Sequence, residues 1–211
     1  MAQVLKSEVR DRIVEAGLRQ FARHGYRDAS LTAIARDAGT AVGNVYRYFA
    51  DKSTLLAAAV PDPLVARHDR LLTARLDALV HEGPSHERAA DELLEFWIEH
   101  RLAVVVLLGR AQGTPFADAP SRFVDRLVRT ARRAHPEIDP VATRLLEVVF
   151  DNTRAAIVAI LAGSDDPDEI RRLIHGFWSY QLPGLAGLDA WIEHDGRRPT
   201  APPSRTSRRR T

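Results

Sequence analysis

The residues best equipped for a chemical task lie in the run SLTAIARDAGTAVGNVYRYFADK, Ser30 to Lys52. Val42, Gly43 and Asn44 are small or amide-bearing, so a helix that starts with them can come close to a base edge. An asparagine amide forms a bidentate pair with adenine, and a valine side chain meets the thymine methyl in the major groove. Tyr46, Arg47, Tyr48 and Lys52 carry hydroxyl or cationic groups, the types that hold phosphate oxygens and fix register without reading sequence. Tyr46 serves as well for aromatic core as for contact, whereas Tyr48 and Lys52 are expected to point outward.

Catalytic chemistry has no comparable footing. There is no cysteine, which excludes disulfide scaffolds, thiolate metal sites and cysteine nucleophiles. The eight histidines are scattered, and none pairs with another at the i, i+4 spacing of a helical zinc site. No serine nucleophile elbow and no phosphate-cradling glycine loop is present. The expectation is a protein that is not an enzyme and holds neither metal nor cofactor.

The frame around the candidate run reads as helices throughout. Val9, Ile13, Ala16 and Phe21 recur at helical spacing between Ser7 and His24, before a stop at Gly25-Tyr26. Ser30 is an N-cap for a helix Leu31 to Ala38 that Gly39 ends, and another follows from Ala41 to Phe49. Helix, glycine turn, helix is the helix-turn-helix layout, whose second helix enters the DNA major groove. Asp51 caps a fourth helix to Val60, stopped by Pro61-Asp62-Pro63. Longer helices are expected over Leu64 to Val80, Ser85 to Gly109, Ala119 to Ala134, Pro140 to Leu161 and Pro167 to Tyr180, before Pro183-Gly184. Leu102 to Leu108 is valine-rich enough for a strand, but its flanks are helix-periodic and no partner strand is visible. The fold class is all-α. It divides into an N-terminal three-helix DNA-binding domain with helix-turn-helix at 1–53, a larger C-terminal helical domain at 54–195, and a disordered basic tail at 196–211.

Length, at 211 residues, permits this, and 45% hydrophobic with 27% charged residues is ordinary globular composition. The net charge of +2 is unevenly spread: nine Lys/Arg against six Asp/Glu over 1–53, fifteen against twenty-two over 54–195, and six arginines with no acid over 196–211. A basic head on an acidic body suits a protein that meets a polyanion at one end. The N-terminus lacks the apolar core of a signal peptide, and no uncharged run reaches the roughly 20 residues that span a bilayer. A soluble cytoplasmic protein with no membrane association is expected.

From Arg12 to about Leu56 the chain resembles the DNA-binding domain of the TetR (tetracycline-repressor-type) family of transcriptional regulators. Ile13, Ala16, Phe21, Gly25-Tyr26, Ile34-Ala35, Ala38-Gly39, Gly43, Val45-Tyr46, Tyr48-Phe49 and Lys52-Ser53-Thr54-Leu55 carry the resemblance. It implies an Ω-shaped homodimer that holds a double-stranded DNA operator with its N-terminal heads and a small-molecule effector in its C-terminal domains. By position it implies base contacts from Val42, Gly43 and Asn44, a DNA contact from Thr32, and phosphate contacts from Tyr46, Tyr48 and Lys52. Ala41 stands where the family often has a capping serine, and Thr40 is the substitute at hand. Gln20 replaces a usual leucine and Gly17 a usual alanine. The resemblance further implies a four-helix dimer interface from helices 140–161 and 167–180. Leu145, Leu146, Val149, Phe150, Thr153, Ala156, Ile157 and Ile160 give an apolar face for it, although burial within one chain explains the same pattern.

An effector site needs an apolar cavity with a few polar groups. Trp97, Phe116, Phe150 and Trp178 supply aromatic surface for one, and His100, Arg101 and Arg154 supply polar groups. Arg154 stands among Phe150, Ile157 and Val158, where an arginine wants an anionic or carbonyl partner. Two other classes stay open: the same fold as an activator or an effector-independent DNA-packaging protein, and a small-molecule-binding or catalytic helical domain with an incidental helix-turn-helix.

Overall fold

A computed structural model describes residues 2–79 and 84–194, and every regular element among them is a helix. Helix α1 (Ala2–Asp28) is broken at Gly25, whose φ of 80° favours glycine. Its inner face, Ile13, Ala16 and Phe21, is fully buried. Ser30 caps α2 (Leu31–Asp37) by accepting from the Ala33 amide at 3.4 Å. Gly39, at φ 64°, then turns the chain back: its N–H donates to the Arg36 carbonyl at 3.0 Å, and the Thr40 N–H donates to the Ala35 carbonyl at 2.9 Å. This paired closure leads directly into α3 (Val42–Tyr48) and fixes the α2–α3 reversal.

Helix α4 (Lys52–Ala59) opens with a reciprocal cap, Thr54 N–H to Asp51 Oδ1 at 2.7 Å and Asp51 N–H to Thr54 Oγ1 at 3.2 Å. It lies on α1 and buries Leu55 and Leu56. Gly17 permits that approach, since a methyl there would come within 3.0 Å of Leu55 Cδ2. Gln20 has an equally local reason: it is buried and donates to Asp37 Oδ2 at 2.5 Å, tying α1 to the end of α2. Helices α1, α2 and α4 thus lie together, with α3 packed on α2.

The body consists of α5 (Asp62–Leu79), α6 (Pro84–Glu99), α7 (Arg101–Gly109), α8 (Ala119–Ala134), α9 (Pro140–Gly163) and α10 (Pro167–His194). Helix α5 runs along α6, and α7 and α8 both lie on α9, with α10 closing over α9 and α6. The head joins the body where α1 meets α7. Gly109 sits where α7 crosses α9, 2.6 Å from Val158 Cγ1 to the position a Cβ would take.

Two expected boundaries are corrected. The single helix from Ser85 to Gly109 is two helices, separated at His100 with φ −112° and ψ 28°. Helix α6 is amphipathic, whereas α7 is buried continuously from Ala103 to Leu108, and a helix apolar on every side must be surrounded. The break re-aims α7 into the centre of the body. The last helix does not stop near Tyr180 but continues through Pro183 to His194. Interior proline costs about 3 kcal/mol. Leu185, Leu188 and Ile192 prolong the stripe that α10 lays on the core, and their burial outweighs that cost.

The tail at 196–211 lies outside the described residues. Among those described, no helix is long and apolar enough to cross a membrane, and no group of three or more His, Asp or Glu could hold a metal ion.

Candidate DNA-reading face and interior cavity

Helix α3 is short, and its orientation is set by what it buries. Val45 is fully buried and Phe49 nearly so, pinning one side of the helix to Ile34 and Ala35 of α2. That leaves Val42, Gly43, Asn44, Tyr46 and Arg47 exposed, together with Thr32 in the first turn of α2. Six of the nine expected contact residues thus share solvent exposure along this helix pair.

Asn44 and Thr40 belong together in another way. The Asn44 Nδ2 donates to Thr40 Oγ1 at 2.9 Å. Thr40 therefore does not replace the missing cap of α3, whose N-cap is Ala41 with no side-chain bond. Its hydroxyl orients the asparagine instead. An amide nitrogen has two hydrogens, so one N–H and the carbonyl oxygen of Asn44 remain for a base.

Tyr48 and the lysine differ from expectation. Tyr46, suited equally to core and to contact, is 56% exposed, while Tyr48, expected to point outward, is half-buried and packed against the core. Lys52, also expected to point outward, is half-buried and reaches back to α1. Its Nζ donates to the carbonyls of Arg27 at 2.9 Å and Ala29 at 3.1 Å, 4.7 Å from the centre of the Tyr26 ring. The carbonyls beyond the break at Gly25 lack helical partners, and a cation satisfies them.

Within the body, α5, α6, α8, α9 and α10 line a partly open cavity of about 230 Å³. Trp97, Phe150 and Trp178 line it, as expected of an effector site, amid Leu72, Leu76, Leu93 and Leu127. The other four expected lining residues are elsewhere. His100 packs edge-on against Phe96 with ring centres 4.7 Å apart. Arg101 donates to the Leu161 carbonyl at 3.3 Å. Phe116 belongs to the turn between α7 and α8, its amide held by Thr114 Oγ1 at 3.0 Å. Arg154 finds the carbonyl its apolar setting demands, donating to Leu108 O at 2.7 Å and to Asp151 at 2.8 Å.

The polar groups of the cavity come from α5, α6, α8, α9 and α10. Thr153 and Gln181 are hydrogen-bonded to each other, as are His135 and Asp189. Thr130 Oγ1 donates to the Arg126 carbonyl at 3.1 Å. Arg75 is buried, with its guanidinium 5.9 Å from the centre of the Trp178 ring, and burial pushes its pKa down. The indole Nε1 of Trp97, itself 2% exposed, has no hydrogen-bond partner. Arg75 carried a signal: it sits with Leu72, Leu76 and Leu79 on the apolar stripe of α5, where an arginine is out of place.

Residues 13–59 match the pattern of the family described as bacterial regulatory proteins, tetR family. The chain is 27% identical to the HTH-type transcriptional repressor AcnR of Corynebacterium diphtheriae over 176 residues, 78% of this chain and 87% of that protein. It is 35% identical to an HTH-type transcriptional regulator of Mycobacterium tuberculosis over 152 residues, 72% of this chain but 58% of that longer protein. A TetR family transcriptional regulator of Chloroflexus aurantiacus shares 20% identity over 89% of both chains, with a TM-score of 0.49. The family match falls on the helix-turn-helix head, and the curated relatives extend the likeness into the body. Residues 13–59 thus form a domain of the tetR family of bacterial regulatory proteins.

Proposed function

We propose that the protein is a homodimeric transcriptional repressor that holds a palindromic operator with α3 and releases it when a small molecule fills the body cavity. The observation that carries this reading is the shared exposure of Thr32, Val42, Gly43, Asn44, Tyr46 and Arg47 around a helix held rigid by Val45 and Phe49. Small residues and one oriented amide at the start of α3 suit base contact, and Arg47 suits phosphate.

Dimerisation is supported by what α9 and α10 leave uncovered. Val141, Leu145, Val148, Asn152, Ala155 and Ala159 are all exposed and recur at helical spacing along one side of α9. On α10, Leu173 and Tyr180 are exposed, and a Cβ at Gly176, Gly184 or Gly187 would meet nothing within 4 Å. Apolar and small residues on two adjacent helices suit close packing against a second copy of the same pair. Helix α5 links cavity and head: it lines the cavity with Leu72, Arg75, Leu76 and Leu79 and is separated from the end of α4 by Val60 and Pro61 alone. A ligand that discriminates between two placements of α5 shifts the spacing of the reading heads.

The test is selection of bound sequences from a random DNA pool at physiological salt. A two-fold symmetric site is expected. A flat profile with undiminished affinity means packaging rather than regulation, and no binding even at low salt removes the DNA-binding reading.

A further inference from the structure

The body cavity shares a wall with a second space. A groove of about 320 Å³ lies between α9 and α10, and Thr153, Gln181, Leu185 and Leu188 line both it and the cavity. Across that wall Gln181 Nε2 donates to Thr153 Oγ1, and the Thr153 hydroxyl donates on to the Val149 carbonyl at 2.9 Å. Gln181 therefore keeps its amide oxygen and one N–H for another partner. The groove adds the exposed amide of Asn152 and the phenol of Tyr180, and among the described residues none that lines it carries a charge. The charges of the cavity are already answered: His135 is paired with Asp189, and Arg75 is engaged within the chain. Asn152 and Tyr180 also belong to the uncovered face that the dimer reading above gives to the second copy, which then roofs the groove.

We propose that cavity and groove form one site for an uncharged amphiphile, its apolar chain in the cavity and its amide or hydroxyl end in the groove on Gln181 and Asn152. Leucines and aromatic rings along the cavity suit the chain, and about ten non-hydrogen atoms fill its 230 Å³ at interior packing density. A side-chain amide both donates and accepts, which matches another amide or a hydroxyl. Under the roof a carboxylate or ammonium loses its water and meets no counter-charge, a penalty that an uncharged end escapes. Gln181 exchanges Thr153 for the ligand as the chain passes the shared wall, and Thr153 keeps the Val149 carbonyl. The proposal rests on the effector and dimer readings above and specifies the chemistry of the ligand.

The experiment measures binding to the full chain by tryptophan fluorescence, without DNA, since Trp97 and Trp178 line the cavity and neither lines the groove. The probes are decanamide, 1-decanol, decanoate and decylamine, with decanamides brominated at the tail or beside the amide, because bromine quenches an indole it touches. Decanamide and decanol are expected to bind about tenfold or more tightly than decanoate and decylamine. The tail bromine quenches more than the bromine beside the amide. Gln181→Leu lowers decanamide affinity about fivefold or more, while 1-bromodecane, which has no hydrogen-bonding end, binds as before. Asn152→Ala lowers decanamide affinity by a smaller factor. Circular dichroism checks that the variants fold, and Gln181→Ala serves if the leucine variant does not. Equal or tighter binding of either charged probe, stronger quenching from the amide end, an amide affinity that survives loss of Gln181, or no binding of any probe overturns the proposal. Sedimentation of the same sample separates the readings. A dimer without the preference for uncharged ends sinks this proposal alone, and a monomer removes the roof and the dimer reading with it. Release of selected DNA by decanamide is measured separately, and binding without release leaves the site standing and removes the effector role.

Discussion

Lys52 Nζ donates to the carbonyl oxygen of Arg27 at 2.9 Å, joining the start of α4 to the end of α1 across the break at Gly25. With the second bond to Ala29 and the Tyr26 ring beneath it, this cation is a brace within the head. Lys52→Met is expected to lower stability by about 1–2 kcal/mol, the scale of charge-assisted bonds in a part-buried setting. It should leave the salt dependence of DNA binding unchanged. Arg47→Met should do the opposite, reducing the slope of log K against log salt by about 2, one phosphate from each head of the dimer, with no loss of stability. Thermal unfolding and salt titrations of both variants decide it. A slope lowered by Lys52→Met with stability intact would restore Lys52 as a phosphate contact.

Thr40 and Asn44 give a second pair. Asn44→Ala is expected to cost about 1–3 kcal/mol on the preferred operator and to relax the requirement at one base pair. Thr40→Val removes the hydroxyl that accepts from Asn44 Nδ2 and should relax the same base pair by a smaller amount. Binding to a panel of single-base operator variants reads both. If Thr40→Val weakens all variants alike, Thr40 contacts the backbone instead of orienting Asn44.

Val148 lies 54% exposed in the middle of the uncovered stripe on α9. Val148→Glu places two like charges near the two-fold axis of the proposed dimer. Sedimentation should show a monomer, with operator affinity reduced at least a hundredfold, because two heads no longer bind as one unit. Helix content should stay as in the parent protein, since Val148 supports nothing within the chain. A variant that sediments as a dimer places the interface on another face.

Acid sensitivity follows from Asp69. Its carboxyl is held below the ordinary carboxylate range, first by its hydrogen bond with His68 and then by the charge of Arg126. A carboxyl whose folded pKa lies below its unfolded value near 3.9 contributes stability above that value and loses it as pH falls through the folded one. The ion pair with Arg126 is partly exposed, with N···O 3.3 Å, so screening limits its worth to about 0.5–1 kcal/mol. Asp69→Asn should destabilise by that amount at pH 7 and match the parent protein well below pH 4. Equal loss at both ends of the pH range would mean the effect is packing, not charge.

How far the sequence reached depends on the range over which each feature is decided. The caps at Ser30 and Asp51, the reversal at Gly39 and the periodicity of α1 are settled by residues a few positions apart, so the helix-turn-helix was legible without coordinates. So was the start of α9, where Asp139 accepts from the Ala142 amide at 2.7 Å and Pro140 opens the helix. Tertiary structure decided what depends on distant partners. Tyr46 is exposed and Tyr48 half-buried because the direction of α3 is fixed by Val45 and Phe49 against α2, and two positions on a helix turn about 200°. Pro183 is passed over because burial further along α10 outweighs its local cost. The cavity draws its wall from five helices between Leu72 and Ile192, and no local pattern says which side of each helix faces the others. Arg154 and Arg75 show the difference: each is an arginine on an apolar helix, but the first meets a carbonyl of α7 and the second lines the cavity beside Trp178.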